Sequence, residues 1–215
     1  LALGGAFGGT GQKCTASSRL IVHDTVHDAF VEKLVAGAQA MKVGHALAEG
    51  TQMGPVVSEQ QLRENLDYVE LGKSEGAELA CGGVRLNMET EGYYMSPGVF
   101  LNTTNAMRIN REEMFAPLAA VIRVGSYDEA LATVNDTNFG LTSGIVTRDL
   151  ARATHFRRNA QTGVVTVNLP TAGTDYHVPF GGRGDSSYGP REQGIHARDF
   201  YTTVKTAYIA AGRPE

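Results

Sequence analysis

Short β-branched runs alternate with amphipathic stretches of helical length along most of this chain, and that alternation constrains its fold more than any other feature. Ser18-Arg19-Leu20-Ile21-Val22 reads as a strand. Residues 27–43 follow with Phe30, Leu34, Ala38 and Met41 near helical spacing. Ser58 with Gln61 three residues on forms a capping box, and Leu62, Leu66, Val69 and Leu71 carry a second amphipathic helix to about residues 72–76. Residues 78–81, 93–100 and 118–124 are short, apolar and strand-like. Ser126 with Glu129 repeats the capping box, and Ala130, Leu131 and Val134 supply that helix with a buried face. Residues 141–146 predict a strand, Asp149 caps a helix over 150–160, Gly163 stops it, and Val164-Val165-Thr166-Val167 is a further strand. Strands alternating with such helices predict an α/β domain with a mainly parallel sheet, because parallel neighbours need crossover connections of this length.

The rest of the composition narrows the classes available. A chain of 215 residues with 42% apolar and 20% charged side chains can bury a core. A formal net charge of −4 with no basic run gives no reason to expect nucleic acid or an anionic membrane as partner. No apolar run reaches the roughly 18 residues of a membrane span, and the opening Leu1-Ala2-Leu3-Gly4-Gly5 lacks signal-peptide character, so the expected location is the cytoplasm. That opening also lacks Met and reads as the inside of a helix, which points to a truncated start. Cys14 and Cys81 form neither a disulfide framework nor a zinc spacing, and the six histidines show no helical metal-ligand pairing, so no metal is expected.

Residues 169–194 break the alternation. They hold six glycines and three prolines without a period, the mark of a long ordered loop, which is more often functional than filler. Residues 201–209 alternate like a strand that could pair outside the main core.

The residue types that carry chemistry cluster around Cys14, in Phe7-Gly8-Gly9-Thr10-Gly11-Gln12-Lys13-Cys14-Thr15-Ala16-Ser17-Ser18-Arg19. A thiol on a tight glycine turn can be surrounded by bare backbone N–H groups, which stabilise a thiolate and an oxyanion formed beside it. A lone free cysteine is otherwise most often a buried, inert core residue. The neighbouring residues decide between these. Gly-Gln-x-Cys followed by Ser-Arg and a strand resembles the nucleophile segment of the aldehyde dehydrogenase superfamily. Glu112-Glu113-Met114-Phe115-Ala116-Pro117 is similar to that family's Glu-Glu-x-Phe-Gly-Pro segment, with Ala116 in place of Gly. Asn138-Phe139-Gly140-Leu141, Val167-Asn168 and Pro179-Phe180-Gly181-Gly182 occur in the family's order and spacing. Asn168 to Gly173, His177-Val178-Pro179-Phe180 and Ser186 to Gly194 resemble more narrowly the branch that oxidises 2-ketoglutarate semialdehyde to 2-oxoglutarate. One departure is Arg183-Gly184-Asp185, where the family carries a Lys shortly after Pro-Phe-Gly-Gly.

The resemblance implies a catalytic domain over residues 1–200 and a C-terminal oligomerisation strand and tail over 201–215, forming a homodimer or homotetramer. It implies Cys14 as the thiolate that adds to an aldehyde, a thiohemiacetal that gives hydride to NAD or NADP, and a thioester that water cleaves. Glu113 would bond the nicotinamide ribose and Phe115 would wall the nicotinamide; Asn168 and Gly11 would support the Cys14 loop, and Phe180 and His177 would face the substrate. The family's general-base Glu, its oxyanion Asn and most of the dinucleotide-binding half lie upstream of Cys14 and outside this sequence, so the 215 residues alone are expected to be inactive. Two other readings stay open: a thiol acyltransferase or hydrolase pairing Cys14 with a His base such as His177, and a non-catalytic oligomerisation module.

Several matches are decoys. Gly9-Thr10-Gly11-Gln12-Lys13-Cys14 ends in Cys where a dinucleotide fingerprint needs Gly or Ala, and precedes a strand. Gly72-Lys73-Ser74 ends like a phosphate loop, but Asp67 stands where its first Gly belongs. Arg183-Gly184-Asp185 as an adhesion tripeptide, and Asn102 and Asn135 as glycosylation acceptors, need a secretory setting that nothing here indicates.

Overall fold

The computed structural model describes residues 1–212. Its centre is a four-stranded sheet in the order β1 (Arg19–His23), β6 (Leu118–Val124), β5 (Gly98–Thr103) and β2 (Glu78–Cys81). β1 and β5 run parallel to β6, and β2 closes the edge antiparallel to β5, so the expected mainly parallel α/β fold is found. The period-2 alternation of the central strand builds two cores. Leu118 and Ala120 face α3 (Glu59–Ser74), packing with Leu62, Val69 and Phe100. Ala119 and Val121 face α1 (Ala2–Phe7) and α2 (Asp24–Gln39), packing with Phe7, Leu34 and Ala38. A strand covered on both faces has no polar side to show, which is why 118–122 reads as an unbroken apolar run.

The helix starts follow their caps. Ser58 Oγ accepts from Gln61 N–H and Ser126 Oγ from Glu129 N–H, each at 3.1 Å. Asp149 accepts from Ala151 and Arg152 at the start of α6 (Leu150–Asn159). α2 begins earlier than the periodicity of residues 27–43 suggests, at Asp24, because His23 Nδ1 accepts from Thr25 N–H. It ends at Gln39, and Val43 leaves to bridge Met53.

Residues 93–100 form two elements, not one. Pro97 has no N–H to give a ladder; β4 (Tyr94–Met95) therefore pairs with β3 (Arg85–Leu86), and β5 starts afresh at Gly98. A short α4 (Arg108–Arg111) precedes β6, and α5 (Tyr127–Asn135) packs over β1, where Arg19 donates to Asn105 Oδ1 and to the carbonyls of Thr133 and Val134. β7 (Thr142–Ile145) and β8 (Val164–Val167) pair parallel as a separate two-stranded sheet. The alternating segment 201–209 forms no strand. Tyr201 ends α7 (Ala197–Tyr201), and residues 202–212 are exposed and without regular secondary structure, since alternation supplies a pattern but not an edge to pair with.

Candidate active site

The Cys14 turn is built from an unusual backbone. After α1, Gly9, Thr10 and Gly11 are all left-handed, with φ of 66°, 60° and 67°. A β-branched residue in this region costs about 1–2 kcal/mol and persists only where its surroundings hold it. Gln12 N–H closes the turn on Gly9 O at 3.0 Å, and Ala16 N–H closes a second turn on Lys13 O at 2.9 Å, with Cys14 and Thr15 at its tip. Thr15 points inward and is buried; Cys14 points outward and is exposed. Ser17 N–H then bonds Gly5 O, tying the turn back to α1 before β1 begins. The Cys14 N–H makes no hydrogen bond to another described residue, which leaves it open as a donor beside its own thiol. Cys81 is the inert case: it lies in the core, where burial pushes its thiol pKa up.

Gly11 joins this turn to residues 112–117. A Cβ on Gly11 would collide with the Ala116 carbonyl, so the two backbones touch. Along that second segment the side chains alternate. Met114, Ala116 and Pro117 are buried; Glu113 and Phe115 are exposed, Phe115 at 37% and at a left-handed φ of 51°. Glu112 is engaged elsewhere: Arg108 Nε donates to it at 2.6 Å and Tyr68 Oη at 3.1 Å, which holds its carboxyl below the usual carboxylate range. Of the two adjacent acids, Glu113 is therefore the one left outward. The four-residue step from Arg108 to Glu112 was the available sign of this.

The loop 169–194 meets the turn at other residues than expected. Asn168, also left-handed, spends its amide on Thr147, accepting from the backbone N–H at 2.9 Å and donating to the carbonyl at 3.0 Å. It braces the end of β7 and not the Cys14 loop. The tie to that loop is Ser17 Oγ with Thr171 Oγ1 at 2.6 Å. Phe180 is half-buried, with its carbonyl accepting from Glu192 N–H. Exposed His177 packs its ring edge against Tyr176, and among the described residues neither it nor Phe180 is hydrogen-bonded to Cys14. The Arg183-Gly184-Asp185 departure is accommodated as a turn against residues 138–140. Arg183 N–H bonds Gly140 O, Asp185 N–H bonds Asn138 O, and Gly184 at φ 56° leaves no room for a Cβ against Asn138 O. Arg191 Nη1 donates to Gly182 O at 2.6 Å, a support with no sequence signal beyond its loop.

Three residues at the site had no role assigned from the sequence. Thr10, Gln12 and Val57 form one linkage: Gln12 Oε1 accepts from the Thr10 hydroxyl at 2.9 Å and from Val57 N–H at 3.1 Å. Val57 is too distant in sequence for any motif to join it to Cys14. Among the described residues, no group of three or more His, Cys, Asp and Glu is placed to hold a metal, and no helix is long and apolar enough to cross a membrane.

Comparison with known proteins identifies the family. The model of the aldehyde dehydrogenase family matches residues 1–207. Alpha-ketoglutaric semialdehyde dehydrogenase of Bacillus subtilis is 43% identical over 207 residues, 95% of this chain and 42% of the relative. Betaine aldehyde dehydrogenase of Brucella anthropi is 40% identical over 218 residues, 99% of this chain and 44% of the relative. The crystal structure of an NAD-dependent aldehyde dehydrogenase from Sinorhizobium meliloti superposes with a TM-score of 0.90 at 32% identity, covering 100% of this chain and 42% of that one. The chain thus spans less than half the length of the relatives it matches. It belongs to the aldehyde dehydrogenase family.

Proposed function

We propose that this chain carries the nucleophile of an enzyme that oxidises an aldehyde to a carboxylic acid with NAD or NADP, and that 2-ketoglutarate semialdehyde is its substrate. The observation that carries the reading is the packing of Gly11 on Ala116. It sets an exposed thiol with an unengaged N–H beside a segment that turns Glu113 and Phe115 outward.

The residues present suit a nicotinamide dinucleotide. Phe115 is an aromatic face held partly open by a left-handed backbone, and Glu113 is an exposed carboxylate able to accept from sugar hydroxyls. When bound, the dinucleotide supplies the two-electron acceptor that the side chains lack. Cys14 does the covalent work. Its thiolate adds to the aldehyde carbon, the Cys14 N–H steadies the oxyanion, and after oxidation the acyl group remains on sulfur as a thioester. Water then releases the acid and the thiol. One well-placed oxyanion donor contributes about 3 kcal/mol to such a step. The exposed apolar residues of 201–209, Val204, Tyr208 and Ile209, are proposed to pair with another subunit in a homo-oligomer.

The test is reduction of NAD and of NADP, followed by absorbance, with 2-ketoglutarate semialdehyde and with betaine aldehyde, on the intact gene product and on the 215-residue chain. Turnover of the semialdehyde by the intact product, abolished in Cys14→Ser, is expected. Preference for betaine aldehyde would replace the substrate, and activity surviving in Cys14→Ser would remove the nucleophile. Turnover by the short chain alone would relocate the dinucleotide site into these residues.

A further inference from the structure

The left-handed run at Gly9, Thr10 and Gly11 is not held by glycine freedom alone, because Thr10 has a branched side chain and no intrinsic preference for that backbone. Its restraint is the hydroxyl. The single Thr10 proton lies between Gly9 O at 2.6 Å and Gln12 Oε1 at 2.9 Å. The same Gln12 oxygen takes the N–H of Val57 at 3.1 Å. Val57 is itself fixed in place, since its neighbour Val56 is buried and donates its N–H to Tyr93 O. The Cys14 turn is therefore gripped twice, by Ala116 against Gly11 on one side and by the 56–57 backbone through Gln12 on the other.

We infer that Gln12 and Thr10 are positioning residues. Through this one shared oxygen they set the direction of the Cys14 N–H and the exposure of its thiol, without touching substrate themselves. The inference rests on the proposed role of Cys14 as nucleophile. Its physical content is separable. Releasing the Gln12 oxygen lets Thr10 relax toward ordinary φ, and since Gln12 ends the first turn and Lys13 begins the second, the second turn must rotate with it. The unengaged Cys14 N–H and the exposed sulfur beside it then point elsewhere.

The experiment reads the thiol directly. The 215-residue chain is treated with iodoacetamide at fixed neutral pH, and the alkylation rates of Cys14 and Cys81 are followed separately by mass spectrometry. Cys81 is buried, so its protection reports that the fold persists. Gln12→Ala and Thr10→Ala should each slow Cys14 alkylation severalfold, because the released turn no longer holds the sulfur open to the reagent. Cys81 should stay protected. Gln12→Glu and Thr10→Ser keep the acceptor and the hydroxyl and should recover the rate to within about twofold of the parent. Unchanged Cys14 rates in both alanine variants, or equal slowing in the conservative ones, would overturn the inference. If Gln12→Ala uncovers Cys81, Thr10→Ala decides the matter in the same two readouts, since it deletes only the hydroxyl and one methyl group. Alkylation needs neither aldehyde nor dinucleotide, so a failed dehydrogenase assay leaves this result standing.

Discussion

Replacing Gly11 by Ala should damage this protein far more than a one-carbon change suggests. At Gly11 an added methyl would stand 1.9 Å from the Ala116 carbonyl oxygen and 2.5 Å from its carbon, where about 3.0 Å is the closest approach that real side chains make. The obstacle is backbone on the buried Ala116-Pro117 step, so no flexible tip can swing aside and one segment must move by about 1 Å. The left-handed φ of 67° adds its own cost for any residue with a Cβ. Overpacking at about 1–3 kcal/mol and the backbone term at about 1–2 kcal/mol together give about 3 kcal/mol. For a chain of this size that corresponds to a fall in Tm of about 6–12 °C. The matched control is Gly4→Ala, in the middle of α1, where nothing lies within 4 Å of the new methyl. There the better helix former should raise stability by about 0.5–1 kcal/mol. The assay is urea and thermal unfolding of both variants beside the parent, followed by circular dichroism. A Gly11→Ala loss below about 1 kcal/mol would refute the packing of the Cys14 turn on residues 112–117, the contact that joins the Glu113 and Phe115 segment to that turn.

Other predictions concern single residues. Glu113→Gln should lower dinucleotide affinity or slow oxidation in the intact gene product while leaving the unfolding midpoint unchanged, because the side chain is exposed; identical kinetics would return it to the surface. Asp149→Ala removes the acceptor for Ala151 and Arg152 and should cost about 1 kcal/mol in urea denaturation, with Asp149→Asn retaining most of it. Acid sensitivity follows from two carboxylates held low in the folded chain. Glu112 is held by hydrogen bonds from Arg108 and Tyr68, and Asp136 by those from Asn105 and Arg111. Since their folded pKa values are depressed, the stability they add is complete above the ordinary carboxylate range near pH 4 and is lost as pH falls below it. Glu112→Gln should therefore narrow the stability gap between pH 6 and pH 3, and an unaltered gap would show that the Arg108 pair is inconsequential.

The sequence by itself determined most of the local elements and made the segment around Cys14 legible. Three cap residues, Ser58, Ser126 and Asp149, named three helix starts because a capping oxygen and its N–H donors lie within three residues of each other. The apolar run at 118–124 announced a strand, which the structure buries on both faces, and the Cys14 and Glu113 segments were legible as motifs because each is contiguous. What lay out of reach was every contact between distant positions. Asn168 looked like a brace for Cys14, yet its amide reaches Thr147, a choice made by the pairing of β7 with β8. Residues 201–209 alternate as a strand does and still form none, because a strand exists only beside an edge and that edge is not among the described residues. The tertiary structure alone decided that Gly11 touches Ala116 and that Gln12 takes the Val57 N–H. Such contacts depend on where the chain returns in space, and a local pattern of residue types carries no information about that return.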